Sequence, residues 1–445
     1  MPSRERHGDP LHLRADLWRV PLALSLAAVL LFVITVAIDR AAARGSLSLP
    51  GWLSIGGPED ARVILSAMLG AVSTVLALIF SVALLVLSMA ASQLGPRMLY
   101  RFVRDGITQV TIGLFLASFV HTLLALVVTR QQGGREFVPQ LTLCCSVVLV
   151  LLSFGFLVVY SHRVAMSIQT QNVVARIVSD LDTAIAEWTA EGAAHAEPSR
   201  SPAGAAELEA LLSRCAAEGA AVRARRTGFI QEIDHVSVVA AAEREEAAVR
   251  LLYRPGQFVM EGAILGYVIP PDRAAALAPQ LGRHVRIGKH RTLSQDLEFG
   301  VAQLVEIALR ALSPAVNDTF TGLTCIDWLG DELRVFARAK EHSGAWLGPS
   351  GAVRLMRPRL EAAGLVKGAF EQIRQAARGN LAVSIRLLQT FGRLAPQIEH
   401  LGVRAALGQQ MEAVWEATSA ETLVTSDRAD LEAAYRAARG ALGTG

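Results

Sequence analysis

Charge is missing from four long runs near the start of this chain, and that absence decides where the protein resides. Val20–Ile38, Val63–Pro96 and Phe137–Ser161 hold no Asp, Glu, Lys, Arg or His, and Gly106–Thr129 holds only His121. An α-helix rises about 1.5 Å per residue, so about 20 apolar residues cross the ~30 Å hydrocarbon core of a bilayer. Each run is long enough, and four together exceed what the core of a water-soluble protein accommodates. Membrane helices are expected at about 17–38, 63–92, 107–129 and 138–160, with a lipid bilayer as the first partner. No comparable run follows Ser161.

Other scarcities narrow the function. The four cysteines, Cys144, Cys145, Cys215 and Cys325, form no C-x-x-C pair and no cluster with His, which argues against a zinc site or a disulfide framework. Lysine occurs three times among 43 Lys and Arg, a coding bias towards Arg. The net charge of +3 is too small to point to nucleic acid. There is no Gly-rich phosphate loop, no H-E-x-x-H and no G-x-S-x-G, so no cofactor is expected and the balance is against an enzyme.

What is present is patterned. With the N-terminus inside, inner segments hold Arg4, Arg6, Arg14, Arg19, Arg97, Arg101, Arg104, Arg163 and Arg176. Outer loops hold Arg40, Arg44, Arg62, Arg130 and Arg135. This bias expects a multi-pass protein of the cell (inner) membrane with both termini cytoplasmic. A cleaved signal ending at Ala41–Ala43 is the rival reading. Its apolar run is longer than the usual 7–15 residues or so, which favours a retained helix.

Within the runs, small and hydroxyl residues recur at helical spacing. The second carries Ser66, Gly70, Ser73, Ala77, Ser81, Ser88 and Ser92 on one face. The third carries Thr111, Ser118, Thr122, Ala125 and Thr129, with His121 beside them, and the fourth repeats through Ser146, Ser153 and Tyr160. Such faces pack helices together, or they line a polar path. The candidate membrane polar face is Ser66, Ser73, Ser81, Ser88 and His121. The loop from Pro96 to Arg104 reads as a short basic amphipathic piece for anionic headgroups.

Two blocks then carry a resemblance. Phe80-Ser81 through Ser92-Gln93, with Pro96-Arg97, Phe102, Arg104-Asp105 and Thr108-Gln109, forms the first. Arg291-Thr292, Gln295-Asp296, Phe299-Gly300, Gln303-Leu304-Val305, Arg310–Pro314 and Asn317-Asp318 form the second. Together they resemble the bacterial membrane-protein family called domain of unknown function 2254. The resemblance implies four membrane helices followed by a cytosolic domain, and it brings no activity with it. Thr319 departs from the proline expected after Asn-Asp.

The expected architecture is an α-helical polytopic membrane domain at 1–161 fused to an α+β cytosolic domain. A helical connector is expected at 162–226, with a linker near 192–206 and helix over Leu208–Arg225. The α+β domain proper is expected at 227–349 and a helical C-terminal region at 350–445. Gly228–Ile233, Ala248–Tyr253 and Ile264–Ile269 read as strands of a small β-subdomain. Arg254–Gly266 resembles half of the hairpin of biotinyl and lipoyl carriers, but no Lys lies between Gly228 and Pro270 for a covalent arm. Thr292-Leu293-Ser294-Gln295 has capping-box form ahead of a helix running to Leu312, and Asn317 or Asp318 can cap the next.

The candidate cytosolic polar site is Arg291, Asp296, Arg310, Asn317 and Asp318: two arginines for an anion and two carboxylates to orient it, or simply caps and surface pairs. Two functions stay open. The membrane domain assembles as a homo-oligomer that passes a solute or ion under control of the cytosolic domain, which the recurring hydroxyl faces favour. Alternatively the helices anchor a binding, signalling or scaffold module. A membrane-bound hydrolase ranks third, and the ligand is not named by these residues.

Overall fold

The computed structural model describes residues 18–44, 50, 56–94, 106–129, 137–167, 170–194, 202–338 and 344–443. The chain divides into two compact units, 1–172 and 173–445. The basic loop around Pro96–Arg104 lies outside the described residues.

The first unit contains four apolar helices long enough to cross a membrane. They are α1 (Arg19–Ala43), α2 (Pro58–Leu94), α3 (Gly106–Val128) and α4 (Gln140–Ser167). Helix α2 opens on Pro58, whose fixed φ suits a first helical position, and the Asp60 carboxylate accepts the Gly57 N–H at 3.0 Å. Helix α3 is the centre of the group. It packs against α1, α2 and α4, and half of its apolar window is buried, against 17–28% for the other three. Close approach to α1 depends on Gly113: a Cβ there would sit 2.7 Å from Leu24 Cδ1 and 3.0 Å from Pro21 Cα.

Helix α5 (Thr170–Ala194) leads into the second unit, and α6 (Pro202–Glu218) follows. Residues 195–201, within the expected linker, lie outside the described residues. The expected helix over Leu208–Arg225 stops at Glu218, and Ala220–Arg223 forms β1 instead. Strands β2 (Gly228–Ile233), β3 (Ala248–Leu251), β4 (Phe258–Val259) and β5 (Ile264–Ile269) follow, then β6 (Val285–Gly288), β7 (Ala345–Leu347) and β8 (Val353–Met356). One sheet has the order β1-β5-β3-β8-β7 and the other β4-β2-β6. The segment Arg254–Gly266 is therefore no hairpin, because β4 pairs with β2 while β5 pairs with β1 and β3.

Strands β7 and β8 were not expected; Val353-Arg354-Leu355-Met356 sits in an Ala- and Arg-rich stretch that reads as helix. It becomes a strand through tertiary pairing, parallel to β3 and antiparallel to β7. Helices α7 (His235–Arg244) and α8 (Ala274–His284) join the strands around a core that includes Ile230, Val249, Leu251, Val268, Leu277 and Trp346.

The remaining helices are α9 (Leu297–Ala311), α10 (Thr319–Arg338), α11 (Ala362–Ala376), α12 (Leu381–Leu394), α13 (Leu401–Ser419) and α14 (Thr425–Gly443). They pack on one another, α9 on α10 and α11, α12 on α10 and α14. Apolar residues three and four apart give each a buried stripe, as with Val383, Leu387, Leu388, Phe391 and Leu394 in α12.

Candidate functional site

The polar groups of the membrane unit fall into two sets. Thr111, Ser118, His121, Thr122, Thr129, Ser146, Ser153 and Tyr160 are all buried. The Ser118 and Ser153 hydroxyls meet at 2.7 Å, and His121 Nδ1 lies 2.9 Å from the Ser146 hydroxyl. Phe32 of α1 meets the His121 ring edge-on at 6.0 Å. These side chains join α3 to α4 and α1, the arrangement expected of hydroxyls in a low-dielectric surrounding.

The second set behaves differently. Ser66, Gly70, Ala77, Ser81 and Ser88 of α2 are exposed on the single chain and Ser73 is half-buried. Helix α2 faces its neighbours through Ala61, Leu65, Val72, Val75 and Ile79. At 100° per residue the serine face points almost directly away from them. Ser73 and Thr74 donate to the Leu69 and Gly70 carbonyls at 2.7 and 2.9 Å, which lowers the cost of facing lipid.

One acidic side chain inside this unit escaped the sequence reading. Asp39, in the last turn of α1, is buried. Its carboxylate accepts the N–H groups of Leu141 and Thr142 at 2.9 and 3.0 Å and the Thr142 hydroxyl at 2.7 Å. It therefore caps α4 from another helix, which no local spacing in the sequence could reveal.

In the second unit, Arg291 and Asp296 form a two-pronged pair, Nε to Oδ2 at 2.7 Å and Nη2 to Oδ1 at 2.8 Å. Asp296 Oδ1 also accepts the Phe299 N–H at 3.2 Å, so Asp296 is the cap of α9. Burial pushes its carboxyl up from the ordinary range, and the Arg291 and Phe299 donors work against that. Gly256, at φ +89°, lies so close to the carboxylate that any Cβ would collide with it. The expected capping box does not form. Gln295 instead holds the Ile233 backbone, accepting its N–H at 2.9 Å and donating to its carbonyl at 3.1 Å. Thr292 donates to the Gln231 carbonyl at 3.1 Å.

Asp318 caps α10, accepting from the Thr321 N–H at 3.1 Å and the Thr321 hydroxyl at 2.6 Å. Asn317 takes the left-handed conformation, φ +50°, in the turn before it. Arg310 lies in the last turn of α9. The five candidate residues thus divide between the two ends of α9, whose fifteen residues separate them by about 20 Å at the rise of an α-helix. They do not share one cleft.

A small, shallow cleft lies beside the Asp296 end, between the loops around Arg254 and Arg357. Arg254, Arg357 and Arg359 supply its charge, and among the described residues no Asp or Glu lines it. Elsewhere in this unit Glu332 of α10 is buried with its Oε2 unpartnered. Burial, reinforced by Asp182 and Asp331 against Arg334, pushes its carboxyl up to about 8. Burial likewise pushes the Cys325 thiol up to about 12, which makes it inert packing rather than a nucleophile. Among the described residues no group of three or more His, Cys, Asp or Glu could hold a metal ion.

The family model described as "Predicted membrane protein (DUF2254)" matches residues 14–393. An uncharacterized protein of Mycobacterium bovis is 29% identical over 383 residues, covering 84% of this chain and 71% of the relative. An uncharacterized protein of Mycobacterium tuberculosis aligns with the same identity and coverage. No solved structure matches the chain.

Proposed function

The chain belongs to the DUF2254 family of predicted membrane proteins, and we propose that it works there as a membrane-anchored cytosolic binding module. One observation carries this reading: two polar contacts bridge α3 and α4, Ser118 to Ser153 and His121 to Ser146. Hydroxyls arranged in this way fasten helices together, which is the role of an anchor. The second unit contributes the arginine-lined cleft. Both termini lie in the cytoplasm in this proposal, supported by the arginine bias of the loops.

Reconstitution of the full chain into dye-loaded vesicles tests the reading. Proteoliposomes should retain small ions and dye as protein-free vesicles do; protein-dependent release would transfer the function to the membrane unit.

A second reading has its own support, the outward face of α2. Ser66, Gly70, Ser73, Ala77 and Ser81 form a small-residue track against which a second copy of the helix could pack closely. In that reading the protein is a homo-oligomer, and any solute path lies between copies. Oxidative cross-linking through S73C in membranes, in a background without the native cysteines, would give covalent dimers if the faces meet and none if they face lipid.

A further inference from the structure

Three neighbouring helix turns at one end of the second unit expose apolar side chains. Phe320, at the start of α10, is 83% exposed. Val316, in the turn before it, and Val424, in the turn before α14, are both more than half exposed. The turn between α11 and α12 joins these two. Asn380 Nδ2 donates to the Thr319 hydroxyl at 3.1 Å, and the Gly379 N–H donates to the Glu421 carboxylate at 3.0 Å. A single exposed Val or Phe is ordinary, but several gathered at one end mark a surface that a partner covers. We infer that this end of the second unit rests in the interfacial layer of the lipid bilayer, with Phe320 as its leading group. The inference goes beyond the anchored reading, which assigns no lipid contact to this unit.

The direction of the helices selects lipid as the occupant. Helix α5 runs in the same sense as α10: Asp182 lies close enough to Glu332 to act on its carboxyl, and further along both helices the Trp188 ring packs on Phe336 at 5.0 Å. Helix α9 runs the other way, with Gly300 near its start set against Leu181. Followed back to their beginnings, α5 and α10 therefore lead to the same end, α5 to Val173 and α10 to Phe320. Val173 opens the second unit and comes nine positions after Val164, the last residue of the fourth apolar span. At about 3.3–3.6 Å per residue such a tether spans at most roughly 30 Å, so this end stays within reach of the bilayer however the unit is turned. Asp318, Glu421 and Asp427 keep the end from being basic. The attraction is accordingly apolar and needs no anionic lipid, while Arg378, exposed in the middle turn, suits a headgroup phosphate.

Photo-crosslinking of the full-length chain in phosphatidylcholine nanodiscs tests the inference. p-Benzoylphenylalanine, which inserts into C–H bonds within its reach, takes the place of Phe320, Val424 or Leu401 in turn. Leu401 is 82% exposed but begins α13, whose nineteen residues set it about 28 Å from the turn that holds Val424. Intact-mass analysis should show a lipid adduct at positions 320 and 424 and several-fold less at 401. Phe320→Asp should reduce the adduct at 424 several-fold and leave the melting temperature unchanged, since Phe320 is exposed. Chains joined to one another through position 320 would assign this end to a second copy and overturn the inference. Equal adducts at all three positions, no adduct at 320, or an adduct at 424 that Phe320→Asp leaves intact would overturn it as well. The vesicle-release measurement concerns the membrane unit alone, so either inference can fail without the other.

Discussion

Asp39 and Thr142 lie 103 positions apart in the chain and share two hydrogen bonds. The carboxylate accepts both the backbone N–H, at 3.0 Å, and the hydroxyl, at 2.7 Å. The last turn of α1 thereby supplies the cap that α4 lacks in its own sequence. Buried N–H groups at a helix start cost several kcal/mol when left without an acceptor in an apolar medium.

Replacement of Asp39 by Ala should therefore loosen the first unit by about 1–3 kcal/mol, and Asp39→Asn by less. Unfolding of the full chain in mixed detergent micelles checks this. Equal stability of the Ala variant and the parent protein would show that the cap contributes nothing.

The Arg291–Asp296 pair makes a prediction of the same kind. Removing one member of a buried ion pair typically costs about 3–5 kcal/mol, because the other charge is stranded. Arg291→Gln should reach that range, whereas Arg291→Met combined with Asp296→Asn should cost clearly less. Asp318→Ala removes only a helix cap and should cost about 0.5–2 kcal/mol. A double-mutant cycle on thermal unfolding gives the coupling, and a coupling near zero would contradict the geometry.

Glu332 should impose a pH dependence with a definite sign. Its folded carboxyl titrates at about 8, against an ordinary value of 4.5. Between those values the folded chain holds a proton that the unfolded chain releases, so stability falls as pH rises from 4.5 to 8 and levels off above. At about 1.4 kcal/mol per unit, the loss amounts to a few kcal/mol. Asp182 on α5 and Asp331 on α10 favour the protonated form, and Arg334 opposes them. Glu332→Gln should flatten that part of the profile and raise the melting temperature at pH 8 and above. An unchanged slope in the variant would remove Glu332 as its source.

The membrane helices were legible because the signal is composition over twenty residues, and an apolar run of that length has few alternatives. Strands β2 and β5 were legible from local alternation and turn residues, as was the cap at Asp318. Strands β7 and β8 were not, since β8 takes its conformation from β3 about a hundred positions away, as when Val249 pairs with Leu355, and β7 pairs in turn with β8. Among the candidate site residues, the sequence grouped Arg291 and Asp296 with Arg310, Asn317 and Asp318 as one polar set. It could not show that Asp296 would turn back on Arg291 and cap α9, nor that the helix would carry Arg310, Asn317 and Asp318 to its far end. The cleft arginines at 254, 357 and 359 belong to no short motif, because the sheet brings two distant loops together.

Threading is open to a direct check. Reporter fusions at Gly51 and after Gly445 should give a periplasmic signal from the first and a cytoplasmic one from the second. A periplasmic signal at the C-terminus would place the second unit on the periplasmic side and end its cytosolic assignment.

The central claim is that the membrane unit anchors and does not conduct, and thiol labelling on α2 tests it most directly. Single cysteines replace Ser73, Ser81 and Leu78 in a chain lacking Cys144, Cys145, Cys215 and Cys325. Leu78 is the outward apolar control, exposed beside the serine face, while Val75 packs inside the helix group and is unsuitable. A cysteine at exposed Gly57 verifies reagent access. In intact membranes the account predicts that a small water-soluble thiol reagent modifies only the position 57 cysteine. Rapid modification of S73C and S81C, with L78C protected, would contradict it and establish a hydrated path along the serine face.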